Sequence, residues 1–391
     1  MPFAAVMVGP NRPIEVQEFE RPTVENGGLL LETIVSEVCG TDVHLHHGRL
    51  AGVPYPIIPG HVSVGRVIET GGTVVDIDDR LIELGAIVTF LDVHETCHNC
   101  WYCLVAKTAT RCPHRKVYGI TYAVADGLLG GWSQMIYLKP NVKTLRLPTT
   151  VPPERLIAAG CGLPTAIHAI ERAAITLGDS VVVQGSGPVG LNAAILALLS
   201  GAGQVIVVGD PLNRLQTASN FGVDHVVSVA QTTAAERLDY VRTLTGGRGA
   251  DITIEATGVP AAVKEGMQMT RDGGRYIVVG QYTDAGDVAI NPHTEINQKH
   301  LDIRGCWGSD FSHFHRMVGI LARHGDRINW EQMISREYDL HSMNEALADV
   351  AAGTVVKAVV RPNGIRNQES GIRGKRLGAG GKGLGEREWR T

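Results

Sequence analysis

The stretch VVVQGSGPVGLNAAILALL, residues 181–199, constrains the fold of this chain more than any other. Its first part is apolar without alternation, as in a strand buried on both faces. It runs into Gly185, Gly187 and Gly190 at G-x-G-x-x-G spacing, and an apolar helix follows. The first glycine permits a tight turn and the second lets a pyrophosphate approach the backbone. The third lets helix pack on strand. Pro188 and Val189 then open a helix whose positive N-terminus faces the phosphates. Twenty residues after Gly190, Asp210 closes the apolar run VIVVGD. A carboxylate there accepts hydrogen bonds from both ribose hydroxyls and repels a 2′-phosphate, which favours NAD over NADP. The blander alternative is a strand-end aspartate that caps the next turn. Arg214, close behind, can soften the preference, so dual use stays open.

From this point strand-like and helix-like segments alternate to about residue 280, the pattern of a parallel α/β sheet covered on both faces. Residues 151–174 read as helical, with proline near the start. Upstream, short β-rich runs such as LLLETIV and VGRVIET lie between turn signals, so the first part of the chain is mostly β. The segment YDLHSMNEALADVAAGTVVKAVVRP reads as a helix and a closing strand that return to that first domain. The expected division is therefore 1–152, rejoined by 290–362, around a dinucleotide-binding unit at 153–289. Residues 363–391, basic and glycine-rich with few apolar side chains, are expected to be disordered.

Across 391 residues, 44% are hydrophobic and 19% charged, an ordinary globular balance with room for two cores. A net charge of −4 gives no reason to expect nucleic acid or an anionic membrane as partner. The N-terminus lacks the pattern of a secretory signal, and no apolar run is long enough to span a bilayer, so a cytoplasmic location is expected.

Seven cysteines in a reducing compartment point to metal ligands or buried thiols rather than disulfides. CHNCWYCLVAKTATRC sets Cys97, Cys100, Cys103 and Cys112 at C-x2-C-x2-C-x8-C. Four thiolates close a tetrahedral zinc shell and leave no place for water, so this site is expected to be structural.

CGTDVHLHHG, residues 39–48, packs one cysteine and three histidines into ten positions, while PGHVSVG supplies His61 and AGCGLPTA supplies Cys161. Spacing does not prove that these distant segments meet. Together with the cysteine lobe and GSGPVG, and in this order, they resemble the zinc-dependent medium-chain alcohol dehydrogenases over nearly all of residues 1–362.

That resemblance implies a GroES-like catalytic domain and a Rossmann domain with the active site between them. It implies a second, catalytic zinc held by Cys39, His61 and Cys161, with a fourth position open to water or alcohol. Asp42 is implied to hydrogen-bond the far nitrogen of His61, and Thr41 to touch the substrate hydroxyl. His44 is implied to pass the proton to solvent, and Thr165 to lie near the nicotinamide. The implied reaction is reversible hydride transfer between a small alcohol or carbonyl and NAD, in a homodimer or homotetramer.

Two departures stand out. Val62 occupies the position after the ligand histidine where the family commonly has Glu, and the last cysteine interval is one residue longer than usual. Valine at 62 with cysteine at 161 favours a Cys-His-Cys shell and an alcohol-type over a polyol-type site. LPTA and CWGSDF look largely apolar, which suggests a hydrophobic secondary or cyclic alcohol. The competing readings are a polyol, amino-alcohol or glutathione-adduct dehydrogenase, or a zinc-free or non-catalytic relative. His46, His47 and Cys306 have no assigned role; for Cys306 a small buried residue is expected.

Overall fold

The computed structural model describes residues 1–364. The tail expected at 363–391 falls outside the described residues except for Asn363 and Gly364. Asn363 donates from Nδ2 to the carbonyl of Thr33 at 2.8 Å.

The dinucleotide-type sheet has six parallel strands. Their order across the sheet is His225–Ser228, Gln204–Gly209, Ser180–Gln184, Ala250–Glu255, Thr270–Val278 and Asp302–Gly305. By chain position within the sheet this is 3-2-1-4-5-6, the doubly wound Rossmann order, which opens a crevice at the carboxyl end of its first strand. The sixth strand corrects the boundary expected at 289, because Asp302–Gly305 pairs in parallel with Thr270–Val278. Its sequence, DIRG, is mostly polar and mostly exposed at the sheet edge, so no apolar run announced it.

The other sheet has seven strands built around Leu29–Val38, ten residues mostly buried along their length. On one side it pairs with Ser63–Thr70 and, beyond that, Ile87–Phe90. On the other side the late strand Lys357–Val360 joins it antiparallel, with Ala358 opposite Val38 and Val359 opposite Glu37. The expected return of the chain to the first domain is thus a strand pairing. It places Lys357 on the same face as Val359 and Glu37, since alternate residues share a face.

The segment expected as one helical stretch after 151 is two helices, Pro153–Ala159 and Gly162–Ala173. Gly160 breaks them, at φ +51°. One continuous core joins the two domains. Val35, Val62 and Val64 from the β domain pack in the same cluster as Leu163, Val183 and Leu191.

Candidate active site and metal centres

The glycine loop behaves as its spacing predicts. Gly185 has φ +108°, in the left-handed region, and a Cβ there would lie 2.6 Å from the Ala256 carbonyl oxygen. A Cβ on Gly190 would lie 1.9 Å from the Gly185 carbonyl oxygen, so the helix Pro188–Leu199 sits too close to its strand for any side chain. Around Gly187 the nearest atom to a Cβ would be Arg214 Nη1, at 3.9 Å, which leaves the backbone open to a ligand. Gly190→Ala is therefore expected to weaken dinucleotide binding by roughly tenfold or more, through displacement of the loop. Titration by cofactor fluorescence would read this, and unchanged affinity would refute it.

Asp210 closes the strand Gln204–Gly209. Its Oδ1 accepts from Ser228 Oγ at 2.8 Å and its Oδ2 from the Ala230 N–H at 2.6 Å. It thus holds the next loop, and each oxygen keeps a lone pair for a further donor. Arg214 donates from Nη2 to the Val355 carbonyl at 2.7 Å, and burial lowers its pKa.

Cys39, His61 and Cys161 come together from three elements. Cys39 ends the long central strand and caps the helix Gly40–His46. His61 precedes the neighbouring strand, held in line by the Glu37 N–H to the Val62 carbonyl at 3.0 Å. Cys161 sits in the break after Gly160. Nε2 of His61 lies 3.9 Å from Cys39 Sγ. Its Nδ1 faces Asp42 Oδ1 at 4.0 Å, longer than the expected hydrogen bond. Both atoms are buried without a partner. Asp42 Oδ2 instead accepts from the Cys39 N–H at 2.8 Å.

The donor atoms of Cys39, His61 and Cys161 lie within 4.8 Å of one another, and a fourth residue, Glu37, shares that cluster. Burial opposes a thiolate at Cys39, but the Cys161 S–H, the His61 imidazole and Lys357 outweigh it and hold the Cys39 pKa well below the usual range. Burial likewise opposes charge on His61, yet the Cys39 thiolate and nearby carboxylates push its pKa well up. An imidazole and paired sulfurs with orphaned polar atoms behind them, all buried, suit a thiophilic divalent cation such as zinc.

The four-cysteine lobe is the second such cluster. All four sulfurs lie within 4.8 Å of one another. The Cys97–Cys112 and Cys100–Cys103 sulfurs are each 3.6 Å apart, far beyond a disulfide bond, and all seven cysteines of the chain are free thiols. The Asn99 N–H draws the Cys97 thiol down to about 6, while desolvation and the neighbouring thiols push Cys103 up to about 11. The longer last interval is taken up by a short helical turn at Ala109–Arg111. Trp101, Leu104 and Val105 are exposed, so the lobe has little core of its own.

Between the domains lies a cleft of about 360 Å³. Cys39, His61 and Cys161 form one part of it, and Gly187, Pro188 and Val189 another. Thr41, His44 and Thr165 also line it. Thr165 Oγ1 donates to the Cys161 carbonyl at 2.9 Å. His44 is half buried, with Nδ1 3.3 Å from Thr283 Oγ1. His46 bonds the Arg12 carbonyl at 3.1 Å, away from the cleft, and Cys306 is buried. The remaining wall is largely apolar: Leu91, Ile120, Tyr282, Trp307 and Phe314, with Tyr282 stacked on Trp307 at 5.7 Å. The sequence reading did not find Glu37 or most of this wall. The available signal for the former was a glutamate two residues before Cys39, in the strand-like run LLLETIVSEV.

A Rossmann sheet beside a β domain, with two thiol-rich clusters and a cleft between them, defines a metal-type dinucleotide-dependent oxidoreductase. Comparison with known proteins makes this specific. Residues 25–149 match the alcohol dehydrogenase GroES-like domain, and residues 188–323 match the zinc-binding dehydrogenase family. The chain is 33% identical to 5-exo-hydroxycamphor dehydrogenase of Pseudomonas putida over 91% of its own length and 98% of the relative's. It is 27% identical to D-arabinitol dehydrogenase 1 of Uromyces fabae, over 90% and 95%. An alcohol dehydrogenase structure from Thermotoga maritima superposes with a TM-score of 0.87 at 33% identity, covering 92% of this chain and 99% of that one. The protein belongs to the zinc-containing medium-chain dehydrogenase/reductase family and is an oxidoreductase of that family. Among the described residues, no helix is long and apolar enough to cross a membrane.

Proposed function

We propose that this protein is an NAD-dependent alcohol dehydrogenase acting on a hydrophobic secondary or cyclic alcohol, with one catalytic and one structural zinc per chain. The observation that carries the reading is the convergence of Cys39, His61 and Cys161 on the floor of a cleft shared with the glycine loop and an aromatic wall. The Pseudomonas relative, whose name specifies a cyclic alcohol, supports the substrate class.

Zinc held by Cys39, His61 and Cys161 would act as a Lewis acid on the alcohol oxygen, and a dinucleotide along the glycine loop would accept the hydride. The chain's own residues do the rest. Thr41 receives the hydroxyl proton, and His44 carries it towards solvent. Asp42 faces the far nitrogen of His61 and orients the ring. Tyr282, Trp307 and Phe314 exclude water and grip an apolar ring. Asp210, at the strand end, favours an unphosphorylated ribose. A solved relative from Sinorhizobium meliloti, 26% identical with a TM-score of 0.79, was crystallised with NADP, so both cofactors belong in the assay. The exposed apolar side chains Trp101, Leu104 and Val105 suit contact with a second copy in a homo-oligomer.

The test is a panel of primary, secondary, cyclic and polyhydric alcohols, followed by reduced-cofactor absorbance with NAD and NADP in parallel. Turnover highest on cyclic secondary alcohols with NAD supports the reading. Turnover confined to polyols, or to NADP, overturns the corresponding half.

Burial and then the Arg49 charge lower the pKa of His44 below its ordinary 6.5. A proton acceptor works only when neutral, so alcohol oxidation is expected to lose kcat/KM only below that value, on an acid limb that His44→Gln removes. The same change should cost roughly 10²-fold in kcat/KM at neutral pH. An unaltered pH profile in the variant would exclude the relay.

A further inference from the structure

Glu37 is a buried carboxylate beside the proposed metal donors that this function does not use. Its Oε2 accepts from the Cys161 N–H at 2.8 Å and lies 3.2 Å from Lys357 Nζ, while its Oε1 accepts from Cys161 Sγ at 2.8 Å. One carboxylate oxygen is thus anchored and the other points into the donor cluster. Both partners are sealed from water: the Glu37 side chain is 0% exposed and that of Lys357 1%. Apart from this ion pair, Lys357 Nζ has no hydrogen-bond partner. The backbone makes room for the pair. A Cβ on Gly160 would lie 1.8 Å from Glu37 Oε2 and 2.4 Å from Lys357 Nζ.

A buried ion pair is a poor source of stability, since apolar residues of similar volume do as well or better. The pair links two neighbouring buried strands beside three metal-type donors, so a role at the metal explains it where packing does not. Charge balance agrees. Two thiolates and one carboxylate carry −3, which a divalent cation and Lys357 neutralise while His61 stays neutral.

We propose that Glu37, through Oε1, is a fourth protein ligand of the same ion in the substrate-free enzyme. Lys357 and the Cys161 N–H hold its other oxygen and receive the whole carboxylate when it yields its place to substrate. The exchange moves no electrons and breaks no covalent bond. It rests on the reading of Cys39, His61 and Cys161 as a metal centre.

The experiment loads the full-length wild type, Glu37→Gln and the double variant Glu37→Gln/Lys357→Met with Co²⁺ at this site. Visible spectra are recorded without substrate, and metal retention is measured by chelator competition. The double variant removes both buried charges together, which guards against misfolding from an unpaired lysine. The expected result is a shift of the Co²⁺ ligand-field bands in both variants. Release of this metal should also be about 10- to 100-fold easier, with the metal of the four-cysteine lobe unaffected. Bands and retention equal to wild type in either folded variant would overturn the assignment of Glu37 alone. A wild type that takes up metal only in the four-cysteine lobe would sink the metal-centre reading as well.

Discussion

Cys39→Ser is expected to abolish alcohol oxidation while leaving the dinucleotide bound as in wild type. A serine hydroxyl stays protonated where the Cys39 thiol, drawn well down by its neighbours, supplies a thiolate. Without that thiolate the ion leaves or loses its geometry, and with it go several kcal/mol of Lewis-acid stabilisation, or ~10³-fold or more in kcat. The glycine loop lies on another domain and does not depend on Cys39, so cofactor titration should be unchanged. Elemental analysis should fall from two zincs per chain to one. Turnover that survives the substitution would show that the proposed ligand set is wrong.

Cys112→Ser should do the reverse, leaving the catalytic metal in place and unfastening the lobe. Its four sulfurs form a closed set, and the apolar side chains around them point outward, so few contacts remain once the ion is lost. Structural zinc in small domains contributes on the order of 10 kcal/mol of binding energy to the fold it closes. The expected result is rapid proteolysis between residues 95 and 117 and a clearly lowered melting temperature, with one zinc retained at the other site. A variant as protease-resistant as wild type, still carrying two zincs, would remove the metal from the account of this lobe.

The two candidate metal clusters were legible to different degrees. In the lobe all four ligands fall within sixteen residues, so spacing alone brings the sulfurs within reach of one ion. The proposed catalytic set spans residues 39 to 161, and local sequence has no power over distances of that kind. Its ligands were named only through family resemblance. The hydrogen bond expected from Asp42 to His61 is a 4.0 Å approach, because Asp42 spends its other oxygen on the Cys39 N–H at the helix start. The edge strand Asp302–Gly305 was missed because a mostly exposed, mostly polar strand has no apolar pattern to read.

What the sequence determined by itself is local: the glycine turn and its helix, the apolar strands, and the close-spaced cysteines. Each depends on backbone sterics or on contacts within a few residues. The tertiary structure alone decided what stands behind the active site. Glu37 and Lys357 are 320 positions apart and meet because the last strand pairs antiparallel beside Leu29–Val38. That register follows from burying both strands in one core, a property of the whole chain that no segment carries.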